Sequence, residues 1–180
     1  MSLSKYVNNL IKKELTPEDI IKMTYNTVPV IIDNSLKDET VMKDTIQLTL
    51  EKKAIILLLL NDISNSGHYV TITINDKQRK ISFYDPYGFH PEFIAEKMGN
   101  ELTTFISTLS HILDYGVDIN IQKLQKLSNN ISTCGRYAIL RSLNKKLSNS
   151  QFNDLLDSYL TLKTPDEIVT ALTCNYSMLS

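Results

Sequence analysis

A chain of 180 residues is long enough to bury well over half of its unfolded surface, and 42% apolar with 22% charged residues excludes a disordered or fibrous protein. The formal net charge of −1, from 19 basic and 20 acidic residues, gives no global field toward an anionic membrane and argues against nucleic acid as a strong partner. Two cysteines, Cys134 and Cys174, make no disulfide framework and suit a reducing compartment, and without metal-ligand spacing no metal or other cofactor is expected.

Residues 1–10 carry no continuous apolar stretch behind a basic start, unlike a secretory signal. Leu3, Tyr6, Val7, Leu10 and Ile11 recur at helical spacing and predict an amphipathic helix. Thr16-Pro17-Glu18-Asp19 reads as an N-cap, a first-turn proline and two dipole-matched acids, opening a second helix. Val28 to Ile32 reads as a short strand and Asp38 to Leu50 as a helix. The apolar run Ala54 to Leu60 is far short of the roughly 20 residues that a membrane span needs, and has the length of a fully buried central strand. After a loop, His68 to Ile74 alternates with period two, Asn75 to Gln78 turns, and Arg79 to Asp85 returns as the second arm of a hairpin. Pro91 to Tyr115 is helical overall, with Phe105, Leu109, Ile112 and Leu113 on one side, and Val117, Ile119 and Ile121 alternate as a further strand. Cys134 opens a helix to about Leu147. Two more helices follow, one near Gln151 to Leu160 and one from the capping box Thr164-Pro165-Asp166-Glu167. No repeat or linker interrupts the chain, so residues 1–180 are expected to form one α+β domain, with strands in the middle and helices at both ends.

The chemistry-bearing residues converge on this hairpin. Pairing Ile72 with Ile81 and Val70 with Phe83 places apolar side chains opposite one another, and that register sets His68 against Asp85. Directly opposed Cβ atoms lie roughly 5 Å apart, within reach of a carboxylate–imidazole hydrogen bond. Such a pair orients the imidazole and stabilises its protonated form, the part played by the third member of a nucleophilic triad. Cys134, in Ser132-Thr133-Cys134-Gly135-Arg136-Tyr137, supplies a nucleophile at a helix N-terminus, where the helix dipole and a nearby imidazolium favour the thiolate. Ser132 or Thr133 is expected to cap that helix, and Gly135 to leave room for a substrate carbonyl beside the sulfur. The Cys134 N–H and a neutral amide, Gln125 or Gln122, are candidate donors to an oxyanion. Taken alone, a buried cysteine is usually a small core hydrophobe, and Asp85-Pro86-Tyr87-Gly88 an ordinary turn. His90 lies beyond the strand end, His111 sits mid-helix, and Cys174 has no partner motif.

The order His, Asp, Gln, Cys resembles the adenain and SUMO-protease superfamily of cysteine proteases. Gly67-His68-Tyr69, Phe83-Tyr84-Asp85-Pro86-Tyr87-Gly88, Asn120 to Gln125 and Thr133-Cys134-Gly135-Arg136-Tyr137 resemble the maturation proteases of virophages, polinton-like elements and related large DNA viruses. The resemblance implies a central mixed sheet flanked by helices, with the catalytic cysteine at a helix N-terminus. It implies His68, Asp85 and Cys134 as the triad and Gln125 as the oxyanion donor. It also implies a viral capsid precursor as substrate, cleavage after a small residue such as glycine, and action in the virion and the virus factory of the infected cell. A monomer is expected. Tyr69 stands where the family usually has tryptophan, which keeps an aromatic wall and adds a hydroxyl that needs a partner. The alternatives are a protease that removes ubiquitin or SUMO, and a catalytically silent binding module of the same fold.

Overall fold

The computed structural model describes residues 3–61, 66–159 and 164–177. At its centre is a five-stranded mixed sheet in sequential order: β1 (Val30–Ile32), β2 (Ala54–Asn61), β3 (Ser66–Asn75), β4 (Lys80–Tyr84) and β5 (Gly116–Ile119). The inner pairs β2–β3 and β3–β4 are antiparallel, while each edge strand runs parallel to its neighbour. A parallel pair needs a crossover. Between β1 and β2 it is a 3-10 turn (Asp33–Lys37) and α3 (Glu39–Lys52); between β4 and β5 it is α4 (Pro91–Met98) and α5 (Leu102–Leu113). The helices outside these crossovers are α1 (Leu3–Ile11), α2 (Pro17–Met23), α6 (Cys134–Leu143), α7 (Asn149–Asp157) and α8 (Pro165–Ser177).

The unbroken apolar run of β2 follows from burial on both faces of the sheet. Ile55, Leu57 and Leu59, with Val70, Ile72, Ile81 and Phe83, pack against Ile46, Ile94, Phe105 and Leu109 of α3, α4 and α5. Ala54, Ile56 and Leu58 face the other way, onto Ile20 and Met23 of α2 and Ala138 and Ile139 of α6. A third cluster joins Tyr137 and Leu140 of α6 to Phe152, Leu156, Ile168 and Val169 of α7 and α8. Residues 134–142 of α6 are all buried, so the helix that carries Cys134 is walled in by two cores. Each fully buried aliphatic side chain contributes roughly 2 kcal/mol.

Where the structure departs from the expected elements, local chemistry gives the reason. The stretch from Pro91 to Tyr115 is two helices, because Gly99 takes φ +62° as the C-cap of α4. β5 stops at Ile119, leaving Ile121 exposed. α6 ends at Leu143 rather than near Leu147, with the Asn144 side chain donating back to the Leu140 carbonyl at 2.8 Å. The expected end of α7 at Leu160 lies outside the described residues.

The hairpin register differs from expectation by two residues. Ile72 pairs with Phe83 and Ile74 with Ile81, and the ladder closes at Asn75 and Lys80. Both registers put apolar residues on the same face, so hydrophobic pattern cannot separate them. The turn does. The Asn75 side chain accepts from the Gln78 N–H at 3.2 Å and Arg79 adopts φ +50°, closing a four-residue turn over 76–79. The ladder ends at Thr71 and Tyr84, so His68 reaches Asp85 from beyond the paired strands and not as a directly opposed pair.

Candidate active site

β4 ends at Tyr84, one strand position before Asp85, while β3 runs on past it to His68 and beyond. This leaves the imidazole at an open end of the sheet, beside the turn of residues 85–88. His68 Nε2 lies 3.0 Å from Asp85 Oδ1, and the same oxygen accepts the Tyr87 N–H at 2.7 Å. Asp85 is 0% exposed, and its Oδ2 has no hydrogen-bond partner among the described residues. Burial alone would lower the pKa of His68. The Asp85 charge and hydrogen bond, with the hydrogen bond and charge of Cys134, outweigh it and push the imidazole up to about 10. With Nε2 committed to the carboxylate, Nδ1 is the ring nitrogen left for the thiol.

Cys134 is the first residue of α6, where the N–H has no carbonyl four residues back inside the helix to bond. Neither expected cap is realised. Thr133 occupies the N-cap position, but its hydroxyl donates to Asp166 Oδ1 of α8, and Ser132 donates its backbone N–H to the Ile11 carbonyl at 2.8 Å. Asp166 also accepts the Lys126 N–H at 3.0 Å, and burial raises its carboxyl pKa in spite of these bonds. Gly135 also differs from expectation. A Cβ there would meet Ile20, Tyr69 and Leu15 at 3.2 to 3.4 Å, so the glycine serves close packing of α6 rather than space beside the sulfur. Tyr69 is 2% exposed and packs in the same buried cluster as Cys134, so it is no open wall. Its hydroxyl finds a partner in the Leu15 carbonyl at 3.0 Å.

The two glutamines part company. Gln122 is exposed, and its Oε1 accepts from Asn153 of α7. Gln125 is 4% exposed, and its Nε2 lies 2.9 Å from the Tyr87 hydroxyl. The Tyr87 ring in turn stacks on His68, with centroids 4.9 Å apart and planes at 27°. Backbone bonds strap the 85–88 turn to the segment that carries Gln125: the Leu124 and Gln125 N–H groups both donate to the Pro86 carbonyl at 3.0 Å, and Asn120 Nδ2 donates to the Asp85 carbonyl at 2.7 Å. Gly88 fits between them with φ +71°; a Cβ there would stand 2.7 Å from the Ile121 carbonyl oxygen. Asn153 Nδ2 holds Asn120 from the α7 side at 3.0 Å.

His68, Asp85, Gln125 and Cys134 are thus gathered around one turn, while the other histidines and the second cysteine lie apart. His90 starts α4 exposed and pairs with Glu92, His111 is exposed on α5, and Cys174 is buried in α8. A hollow of about 220 Å³ borders His68, lined by Tyr87, Phe89, Phe93 and Met98. A larger one of about 620 Å³ lies between α5 and β5, away from the thiol. Among the described residues, no group of three or more His, Cys, Asp or Glu side chains is placed to hold a metal, and no helix is long and apolar enough to cross a membrane. Two residues escaped the sequence reading. Tyr87 was hidden by an ordinary turn motif, and Asn120 by its place just past a strand; the signal available for both was the length of the motif around them.

The ASFV pS273R protease superposes with a TM-score of 0.56 at 14% identity, covering 93% of this chain and 68% of that one. The Chlamydia trachomatis effector Cdu1, solved bound to ubiquitin, superposes with a TM-score of 0.54 at 14% identity, covering 94% and 95%. The chain shares its fold, a five-stranded mixed sheet flanked by helices, with these two proteins. In this fold, β3 carries His68 and the start of α6 carries Cys134. In sequence, protein V9 of Sputnik virophage, itself uncharacterised, is 28% identical over 172 residues, 90% of this chain and 95% of that protein. No protein-family model matches the chain.

Proposed function

We propose that this protein is a cysteine endopeptidase that cleaves a viral capsid precursor during particle maturation. The observation that carries the chemistry is His68, bound at 3.0 Å to a fully buried carboxylate and electrostatically coupled to a cysteine at the start of a buried helix. The Cys134 thiolate attacks the scissile carbonyl, and the His68 imidazolium gives its proton to the leaving amine, leaving an acyl-thioester. Water, deprotonated by His68, then releases the acid. Asp85 holds the imidazole throughout, and the Cys134 N–H with Gln125 binds the oxyanion of each tetrahedral intermediate. The 28% identity to a virophage protein and the fold shared with a viral protease support a viral substrate, met in the virus factory and the virion.

Co-expression with the capsid precursor tests this reading. Mass spectrometry should locate a cut after a small residue, and Cys134→Ala should abolish it. Processing unchanged in Cys134→Ala would overturn the protease assignment. A second reading, removal of a ubiquitin-like modifier, draws on the likeness to a Chlamydia effector solved with ubiquitin. Release of a fluorophore from the C-terminus of ubiquitin, with the capsid precursor left intact, would favour it.

A further inference from the structure

Gln125 is the buried amide of the site, and its two ends are unequally served. Nε2 meets the Tyr87 hydroxyl at 2.9 Å, while Oε1 is buried without any hydrogen-bond partner. In that orientation the amide gives one of its two N–H donors to a phenol and leaves its acceptor bare. Turning the amide by 180° about its terminal torsion keeps the 2.9 Å contact and reverses its sense. The phenol then donates to Oε1, and the NH2 group takes the place of the orphaned oxygen, where its two donors meet no acceptor among the described residues and are left for an incoming oxyanion.

We propose that Tyr87 is a positioning residue for the oxyanion hole: its hydroxyl donates to Gln125 Oε1 and so presents the Gln125 NH2 group as a donor to the developing oxyanion. The inference rests on the protease reading above and adds to it the group that sets the amide's orientation. Three observations converge on it. The phenol is fixed at its ring face by the stack on His68 and at its backbone by the N–H bond to Asp85 Oδ1, so the hydroxyl is held in one place. Gln125 is fixed from its own backbone by the bond to Pro86, one residue before Tyr87, so tyrosine and glutamine belong to a single strapped unit. Burial, with the charges of Cys134, Asp85 and Asp166, raises the phenol to about 12, so it has a proton to donate throughout the neutral range.

Tyr87→Phe tests the inference, since it keeps the ring and its stack and removes only the hydroxyl. The readouts are kcat and KM on the peptide spanning the mapped cut, and the rate at which iodoacetamide alkylates Cys134, a reaction that forms no oxyanion. Tyr87→Phe should lower kcat about tenfold with KM within twofold of wild type. Gln125→Ala should lower kcat by about a hundredfold, in the range of a lost oxyanion donor. The double variant should be no slower than Gln125→Ala, because the hydroxyl acts only through the amide. Alkylation rates of Tyr87→Phe should match wild type. A kcat for Tyr87→Phe within twofold of wild type, or a double variant slowed by the product of the two single effects, would overturn the inference and leave the protease reading standing. A parallel loss of alkylation rate in Tyr87→Phe would also overturn it, placing the hydroxyl's effect on His68. Absence of hydrolysis by the wild type would sink the protease reading and take this inference with it.

Discussion

His68 meets its carboxylate where water does not reach the acid, and the ionised pair has a thermodynamic consequence. A histidine whose folded pKa is raised stabilises the fold fully below its unfolded value, near 6.5, and loses that contribution as pH rises through the folded value of about 10. Stability should therefore fall between about pH 6.5 and 10, by at most about 1.4 kcal/mol per pH unit for one proton. Urea midpoints measured across that window should show the slope in the wild type and not in His68→Gln; equal slopes would place the proton elsewhere. At this scale the sequence was most informative about identity and least about reach. His68, Asp85, Gln125 and Cys134 all come to one turn, yet the geometric route to His68 and Asp85 was two residues out of register. Two same-face registers have equal hydrophobic merit, and only Asn75 and Arg79 in the turn distinguish them. Gly135 departs from expectation for a different reason. Its neighbours, Leu15 and Ile20, come from elements more than a hundred positions away, a contact that no local pattern encodes.

Among the elements, the strap between the 85–88 turn and residues 120–125 decides whether the two sides of the site stay together. It is built from backbone groups, so its sensitive point is Gly88, where both φ and the approach of the Ile121 carbonyl exclude a side chain. Gly88→Ala should cost about 1 to 3 kcal/mol in chemical denaturation and lower kcat by at least tenfold through displacement of Gln125. A variant that kept full kcat would show that the segment tolerates the shift. Element types along the chain were legible because each carries its own signal, such as the Thr16 and Thr164 capping boxes or the two-faced apolar run of β2. Boundaries were less so. The end of α6 is set by the Asn144 side chain, which competes with the helix for the same carbonyl, and the break between α4 and α5 by one glycine inside a continuous periodic pattern.

Over the whole molecule, the organising element is α6, with two buried arginines on the helix that carries the thiol. Arg141 is served by three oxygens, from Asn149, Asn144 and Leu147, and lies over the Phe152 ring at 5.6 Å. Arg136 donates to Thr173 of α8 and reaches the Leu10 carbonyl of α1. Arg141→Ala would strip three acceptors of their donor inside the core, and should lower unfolding stability by about 3 kcal/mol in a urea titration. A loss under 1 kcal/mol would mean that water replaces the guanidinium. Neither arginine announced its burial in the sequence, since a basic residue on a helix is ordinarily solvated. Only the packing of β2, β3, α2 and α8 around it reveals that residues 134–142 of α6 have no outer face. Heat and denaturant therefore meet no hinge at Cys134. A helix shared by two cores cannot loosen while the rest holds, so the candidate site would come apart in the same step as the fold.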